Sequence, residues 1–154
     1  MKIFKGRVVV PAGNGKEVSA EALVSTRGFN TLASFQKALM SGDKQGRCSD
    51  QNNPDIYEKP MIGKALCLPQ TIGSTTGGMI LYCAAYMGRQ PACLLFSKPI
   101  DSLAAAGAVL AGVWTDKPML TIDSLGDEFL ASVKTGSLIR ASDDGTVEVE
   151  PVQS

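Results

Sequence analysis

The residues of this chain best suited to chemistry lie in one loop, Gly73-Ser74-Thr75-Thr76-Gly77-Gly78. The loop follows the apolar run Leu66-Cys67-Leu68-Pro69 and precedes Met79-Ile80-Leu81-Tyr82-Cys83-Ala84-Ala85-Tyr86, a segment with helical character. That order predicts a strand, a loop and a helix N-terminus. Unpaired backbone N–H groups and the positive end of the helix dipole meet there, so the place suits an anion. Ser74, Thr75 and Thr76 add hydroxyls, and the glycines let a ligand approach the backbone. Ser74 could donate to a substrate oxygen, or act as a base if neighbouring donors stabilise its alkoxide. Ordinary N-caps and Gly-rich turns use the same residue types.

Other polar residues are less distinctive. Arg27 and Arg47 could supply a cation, and read equally well as solvated loop arginines. Asp50, Asn52 and Asn53 ahead of Pro54 have the pattern of Asx turns. Histidine is absent from all 154 residues, which excludes Ser-His-Asp and Cys-His nucleophile chemistry and His-based zinc sites within this chain. If Ser74 is catalytic, the rest of the machinery belongs to another chain. The four cysteines, Cys48, Cys67, Cys83 and Cys93, form no CxxC pair. Cys67, Cys83 and Cys93 lie in apolar runs and read as reduced, mostly buried thiols.

The elements that must position the loop are legible around it. Gly63–Pro69 reads as a strand and Gly77–Met87 as a helix. Gln90-Pro91 is a break, and Ala92–Ser97 is a fully apolar strand. Asp101-Ser102 then caps an Ala-rich helix over Leu103–Val113, and Met119–Asp123 is another short strand. Strand, helix, strand, helix, strand in that order implies parallel pairing with right-handed crossovers, from about Gly63 to Asp123. On the N-terminal side, Lys2–Pro11 and Glu17–Ser25 read as two strands. Leu32–Met40 reads as a helical turn or two, and Gln51–Pro60 as irregular. Ser137–Ala141 and Thr146–Glu150 flank Asp143-Asp144-Gly145 as a hairpin. The expected fold class is therefore α/β: a parallel strand-helix-strand core with β-rich segments from both termini packed on it, the whole of 1–154 forming one domain.

Composition narrows the partners. Fifteen Lys and Arg balance fifteen Asp and Glu with no basic cluster, so neither nucleic acid nor an anionic membrane is an expected partner. Hydrophobic content of 44% with 19% charged residues describes a folded globular chain. No secretory leader is expected from Met1-Lys2-Ile3-Phe4-Lys5-Gly6, and Arg89-Gln90-Pro91 interrupts the best apolar stretch, so a cytoplasmic protein is expected.

Taken in order, Glu21-Ala22-Leu23-Val24-Ser25, Leu32-Ala33-Ser34-Phe35, Gly46-Arg47 with Asp50 and Pro54, and Gly63-Lys64-Ala65-Leu66-Cys67-Leu68-Pro69 resemble the aconitase X small subunit. The Gly73-Ser74-Thr75 loop, Pro91-Ala92-Cys93-Leu94-Leu95 and Ala104–Gly112 continue the likeness, which runs from about Gly6 to Val149. The family is the swivelling β/β/α domain of the aconitase superfamily, made as a separate small chain. The resemblance implies a large subunit carrying an iron-sulfur cluster or mononuclear iron, held by that subunit and not by this chain. It implies an active site at the junction of the two and a small hydroxy-acid substrate. It also implies dehydration, with Ser74 as the catalytic base and iron as Lewis acid. Gly73, Thr75, Ser34, Arg47 and Asp50 would then be substrate neighbours.

Bacterial members resemble cis-3-hydroxy-L-proline dehydratases and archaeal members mevalonate 5-phosphate dehydratases. The modest charged content does not suggest a hyperthermophile, which favours hydroxyproline, with phosphomevalonate the alternative. An alternative of another class is a non-catalytic module that holds an anionic metabolite or regulates through the loop at 73–78. The chain also departs from the family pattern. Gln36-Lys37-Ala38 follows Ser34-Phe35 where members commonly have Trp-Gly-Gly, and Asn53-Pro54 stands where they commonly have His-Pro.

Overall fold

Two strands of this chain, Ala65–Leu68 and Cys93–Phe96, have no polar face, and every residue in them is buried. Strands of that kind must be covered on both sides. The computed structural model, which describes residues 1–72, 77–100, 102–115 and 118–152, shows how. In chain order the elements are β1 (Lys2–Lys5), β2 (Arg7–Val10), β3 (Glu17–Val24), β4 (Phe29–Asn30), α1 (Thr31–Met40), β5 (Ala65–Leu68) and β6 (Thr71–Ile72). They continue with α2 (Gly77–Tyr86), β7 (Cys93–Phe96), α3 (Ser102–Thr115), β8 (Leu120–Asp123), α4 (Asp127–Ser132), β9 (Leu138–Ser142) and β10 (Thr146–Glu150).

The main sheet has the order β1-β10-β9-β3-β5-β7-β8-β2. Pairing is parallel from β3 through β5 and β7 to β8, and antiparallel elsewhere. Side chains alternate across the parallel strands. Leu66, Leu68, Leu94 and Phe96 face one apolar cluster with Phe29, Phe35 and Leu81 from the helical side. Ala65, Cys67, Cys93 and Leu95 face a second cluster with Phe129, Ile139, Ala141 and Val147. Truncating a fully buried member such as Leu95 to Ala would cost about 2–5 kcal/mol.

The two ends of the sheet order, β1 and β2, are halves of one ribbon joined at Gly6, so the sheet curls back on itself around the second cluster. Only glycine fits at the joint: a β-carbon on Gly6 would lie 2.7 Å from Ile122 Cγ2 and 2.9 Å from Leu125 Cδ2. Its N–H is taken by the Gly145 carbonyl at 3.0 Å, in the turn of the β9–β10 hairpin.

The expected parallel core and terminal β-segments are therefore present, with differences. The parallel region begins earlier than Gly63, because Ala22–Val24 of β3 pairs in parallel with Ala65–Cys67. The Lys2–Pro11 run breaks at Gly6 into strands on opposite edges. Leu32–Met40 belongs to a ten-residue helix, stabilised by Asn30 Oδ1 accepting from Ala33 N at 3.1 Å and by a buried stripe of Thr31, Ser34, Phe35 and Ala38. Helix α4 and the two-residue strands β4 and β6 lack the length from which periodicity is read. The Asp101 cap lies outside the described residues.

One ionic contact ties the sheet to the start of α3. Asp123 closes β8 with its side chain fully buried, and Arg7 of β2 grips it through Nε at 2.9 Å and Nη2 at 2.6 Å. The same carboxylate accepts from Ile100 N at 2.8 Å and from Ser124 Oγ at 3.2 Å. Burial by itself would raise its pKa, but the hydrogen bonds from Arg7 and Ile100 and the arginine charge outweigh burial and hold it below the ordinary value of 3.8. A carboxyl depressed in the folded state contributes stability above its unfolded pKa and loses it as pH falls through the folded one. Asp123→Asn is therefore expected to flatten the acid limb of stability below about pH 4, read as melting temperature against pH beside the parent protein. Asp123→Ala, which leaves the Ile100 N–H buried without its acceptor, is expected to lower stability at neutral pH by about 1–3 kcal/mol in denaturant titration.

Candidate functional site

Ligands of parallel α/β sheets gather beyond the carboxyl ends of the strands. In this protein the loops at that edge are laced together by backbone hydrogen bonds. Ser25 N donates to Cys67 O, Phe29 N to Gln70 O, Ser97 N to Leu68 O and Lys98 N to Pro69 O, all at 2.8–3.1 Å. Leu125 N and Gly126 N reach Phe96 O and Ser97 O. The small parallel pair β4–β6 grows from this lacing, with Phe29 opposite Thr71 and Asn30 opposite Ile72. Asn30 is the N-cap of α1, and Ile72 is the last residue before the stretch that enters α2 at Gly77. The start of α1 and the approach to α2 are thereby held side by side. A β-carbon on Gly28 would lie 2.6 Å from Ile72 Cγ2, so glycine permits that approach. Neither α1 nor α2 has an acidic residue in its first turn to neutralise the dipole.

Gly73, Ser74 and Thr75 lie outside the described residues. Ser34 sits one turn into α1 with its side chain wholly buried and no hydrogen-bond partner for Oγ, so it faces the interior and not an open surface. Asp50 is also buried, and its Oδ1 accepts from Asn52 N at 3.0 Å, as an Asx turn does. The side chains of these two expected substrate neighbours are enclosed by this chain's own packing. They are close to each other nevertheless. Ser49 N donates to Ser34 O at 3.0 Å, and Ser49 Oγ donates to the Ala33 carbonyl. Burial raises the pKa of the Cys48 thiol against the hydrogen bond from Asp50 N. Arg47 is half-buried, bridged to Pro60, with its N–H donating to Asp43 Oδ2 at 3.3 Å.

A polar knot at the end of β3 was not legible in the sequence. Ser25 Oγ lies 3.0 Å from Asn53 Oδ1 and 3.1 Å from Asp55 Oδ2, and accepts from Arg27 N at 3.1 Å. Thr26 N donates to the same Asp55 oxygen at 3.1 Å. The knot pins the irregular Asp50–Pro60 segment to the carboxyl edge of the sheet. Asn53 is buried and its Nδ2 has no partner. The Asx-rich run announced a turn; only long-range packing brings it to Ser25.

The donors among the described residues do not fit an iron site. Among the described residues no three His, Cys, Asp or Glu side chains gather as a metal would require. The four cysteines are unpaired, and Cys48, Cys67 and Cys93 are buried among apolar neighbours. Burial pushes the Cys93 thiol up to about 12 and raises Cys67 strongly, which disfavours the thiolate a metal binds. Partly exposed Cys83 is expected to react with iodoacetamide in the native protein, whereas Cys67 and Cys93 are expected to react only after unfolding. Peptide mass spectrometry before and after denaturation reads this directly.

A family model described as the aconitase X swivel domain matches residues 3–149. The chain is 28% identical over 148 residues to the phosphomevalonate dehydratase small subunit of Thermococcus onnurineus, covering 96% of this chain and 98% of that one. It is 33% identical over 91 residues to the phosphomevalonate dehydratase small subunit of Aeropyrum pernix, covering 59% of this chain and 64% of that one. The holo-form crystal structure of Thermococcus kodakaraensis aconitase X superimposes with a TM-score of 0.77 at 24% identity, over 98% of this chain and 100% of that one, a likeness of fold. The curled mixed sheet with its helical layer and the match over nearly the whole length agree: the chain belongs to the aconitase X swivel-domain family, whose named relatives are dehydratase small subunits.

Proposed function

We propose that this chain is the small subunit of a phosphomevalonate dehydratase, built as one swivel domain over 1–154, that contributes Ser74 to an active site shared with a large subunit. The observation that carries the reading is the full-length similarity to relatives named phosphomevalonate dehydratase small subunits. It reverses the preference for cis-3-hydroxy-L-proline drawn from composition. Charged content reflects the solvated surface and growth conditions, and says nothing of a pocket. No helix among the described residues is long and apolar enough to cross a membrane.

In this reading Ser74 removes a proton from the carbon beside the substrate carboxylate. The hydroxyl on the adjacent carbon departs as water, and a carbon–carbon double bond forms. A serine alkoxide needs donors to stabilise it, and the N–H groups of the first turn of a helix such as α2 are donors of that kind. Gly73 and Thr75 flank that serine and bind substrate. Arg47, the half-buried cation of the 43–60 segment, faces the substrate's anionic groups, while Ser34 and Asp50 act behind it as packing. Iron belongs to the large subunit, in keeping with the buried, protonated thiols of this one.

The test is to copurify a tagged copy from its native host and assay water loss from mevalonate 5-phosphate and from cis-3-hydroxy-L-proline. Turnover of the first with a larger, iron-bearing partner is the expected result. Turnover of the second alone restores the hydroxyproline reading, and neither partner nor turnover overturns the enzyme reading. In the assembled enzyme, Ser74→Ala is expected to abolish turnover while pairing survives and stability falls by no more than about 1 kcal/mol. Near-normal turnover in that variant removes Ser74 from the mechanism.

A further inference from the structure

Helices α2 and α3 contain no charged residue: Gly77–Tyr86 and Ser102–Thr115 are apolar or neutral throughout. A helix apolar on every side is ordinarily enclosed, by protein or by lipid, and at ten and fourteen residues both are too short to span a bilayer. In this chain each is covered on one side only. Leu81 and Ala84 of α2 and Ala105 of α3 pack on the apolar cluster that the sheet faces. The opposite sides meet water: Met79 is 62% and Tyr86 71% exposed on α2, Val109 44% and Val113 66% on α3. Their i, i+7 and i, i+4 spacings put each pair on one helix face, turned away from the sheet. The ring of Tyr82 lies 6.4 Å from that of Tyr86 and adds an aromatic body there.

The two exposed faces join into one surface because the helices meet main chain to main chain. A β-carbon on Gly107 of α3 would lie 2.5 Å from the Cα of Gly78, so no side chain stands between the helices at that point. Helices about 15 and 21 Å long and about 10 Å wide, side by side, present a face of about 300–400 Å². A groove of about 340 Å³ between α3 and β2, with Val9, Pro11, Val109 and Val113 in its walls, extends it. Other surfaces are finished for water. In the same layer α1 exposes Gln36 and Lys37, and beyond the sheet Arg140 reaches Glu148 at 3.8 Å and Glu150 at 3.0 Å across β9 and β10. A stable interface buries about 800 Å² on each partner, with a centre rich in Tyr and Met and poor in charge inside a polar rim. The helix pair has the composition of such a centre and about half that area.

We propose that the outer face of α2 and α3 is the surface on which the large subunit seats, meeting an uncharged, apolar patch of that subunit. This rests on the proposed function, which gives the chain a large subunit as its obligate partner. Obligate interfaces are the class built from surfaces of this kind.

The first test is a methionine footprint of the full chain, free and in the assembled enzyme, with chloramine-T as the oxidant and peptide mass spectrometry as the readout. Met79 and Met87, both exposed in the chain by itself, are expected to oxidise at least about fivefold more slowly once the large subunit is bound. The second test places charges on the face, as Tyr86→Lys with Val113→Lys. Both positions lie in the last turn of a helix, where a cation suits the dipole, and both are exposed, so the chain keeps its fold. The pair is expected to weaken binding of the large subunit at least about thirtyfold, the scale of an interface hot spot. Ile3→Lys, at a 61% exposed position of β1, is the control and is expected to stay within about twofold. Equal oxidation in the free and assembled forms, or parental binding by the double variant, overturns the proposal. If the double variant does not fold, the footprint of the parent decides alone. Protection that grows with the concentration of this chain alone, and no further with the large subunit, makes a second copy the occupant and also overturns it. Absence of any large subunit on copurification overturns the proposed function and this inference together; a bound large subunit that leaves Met79 and Met87 open overturns this inference alone.

Discussion

The structure depends on the absence of a polar face in β5 and β7. All eight of their positions, four in each strand, are buried, and no arrangement with solvent on one side of them is stable. Helices cover one side and the curled antiparallel ribbon covers the other. Once both sides must be filled, the remaining features follow as consequences. The N-terminal ribbon has to reach both edges of the sheet, the joint at Gly6 has to be side-chain-free, and the helices have to approach closely enough to leave no gap.

Placement of the candidate site follows from the same constraint. A sheet filled on both faces leaves only its edges for a ligand, and the carboxyl edge is where the loops are tied to one another by backbone hydrogen bonds. The β4–β6 pair turns that lacing into a platform from which two helices start. Rigidity there comes from main-chain contacts and one buried carboxylate, not from bulky side chains.

The cysteines show how burial decides chemistry. Four thiols in one chain invite a ligand reading, yet three of them are enclosed in the apolar clusters and kept in the protonated form. They are packing residues. Three of the four sulfurs of this chain are spent on the core. Of the residues that depart from the family pattern, Ala38 is a fully buried position of α1, Gln36 and Lys37 are exposed, and Asn53 joins the Ser25–Asp55 knot.

Local sequence alone determined the parallel strands, the helix after the serine loop, the β9–β10 hairpin and the family, because apolar runs, turn residues and an ordered set of motifs are written within short windows. The length of α1 was only half legible, since a buried Ser34 and Thr31 look polar until packing encloses them. Tertiary structure decided what depends on distant partners. The break of the first strand at Gly6, the parallel pairing of β3, the Ser25–Asn53–Asp55 knot and the Gly107–Gly78 contact each join residues far apart in the chain. A glycine in a helix or a serine at a strand end carries no local mark of what it will touch. Sterics and hydrogen-bond satisfaction act between surfaces that exist only once the chain has folded.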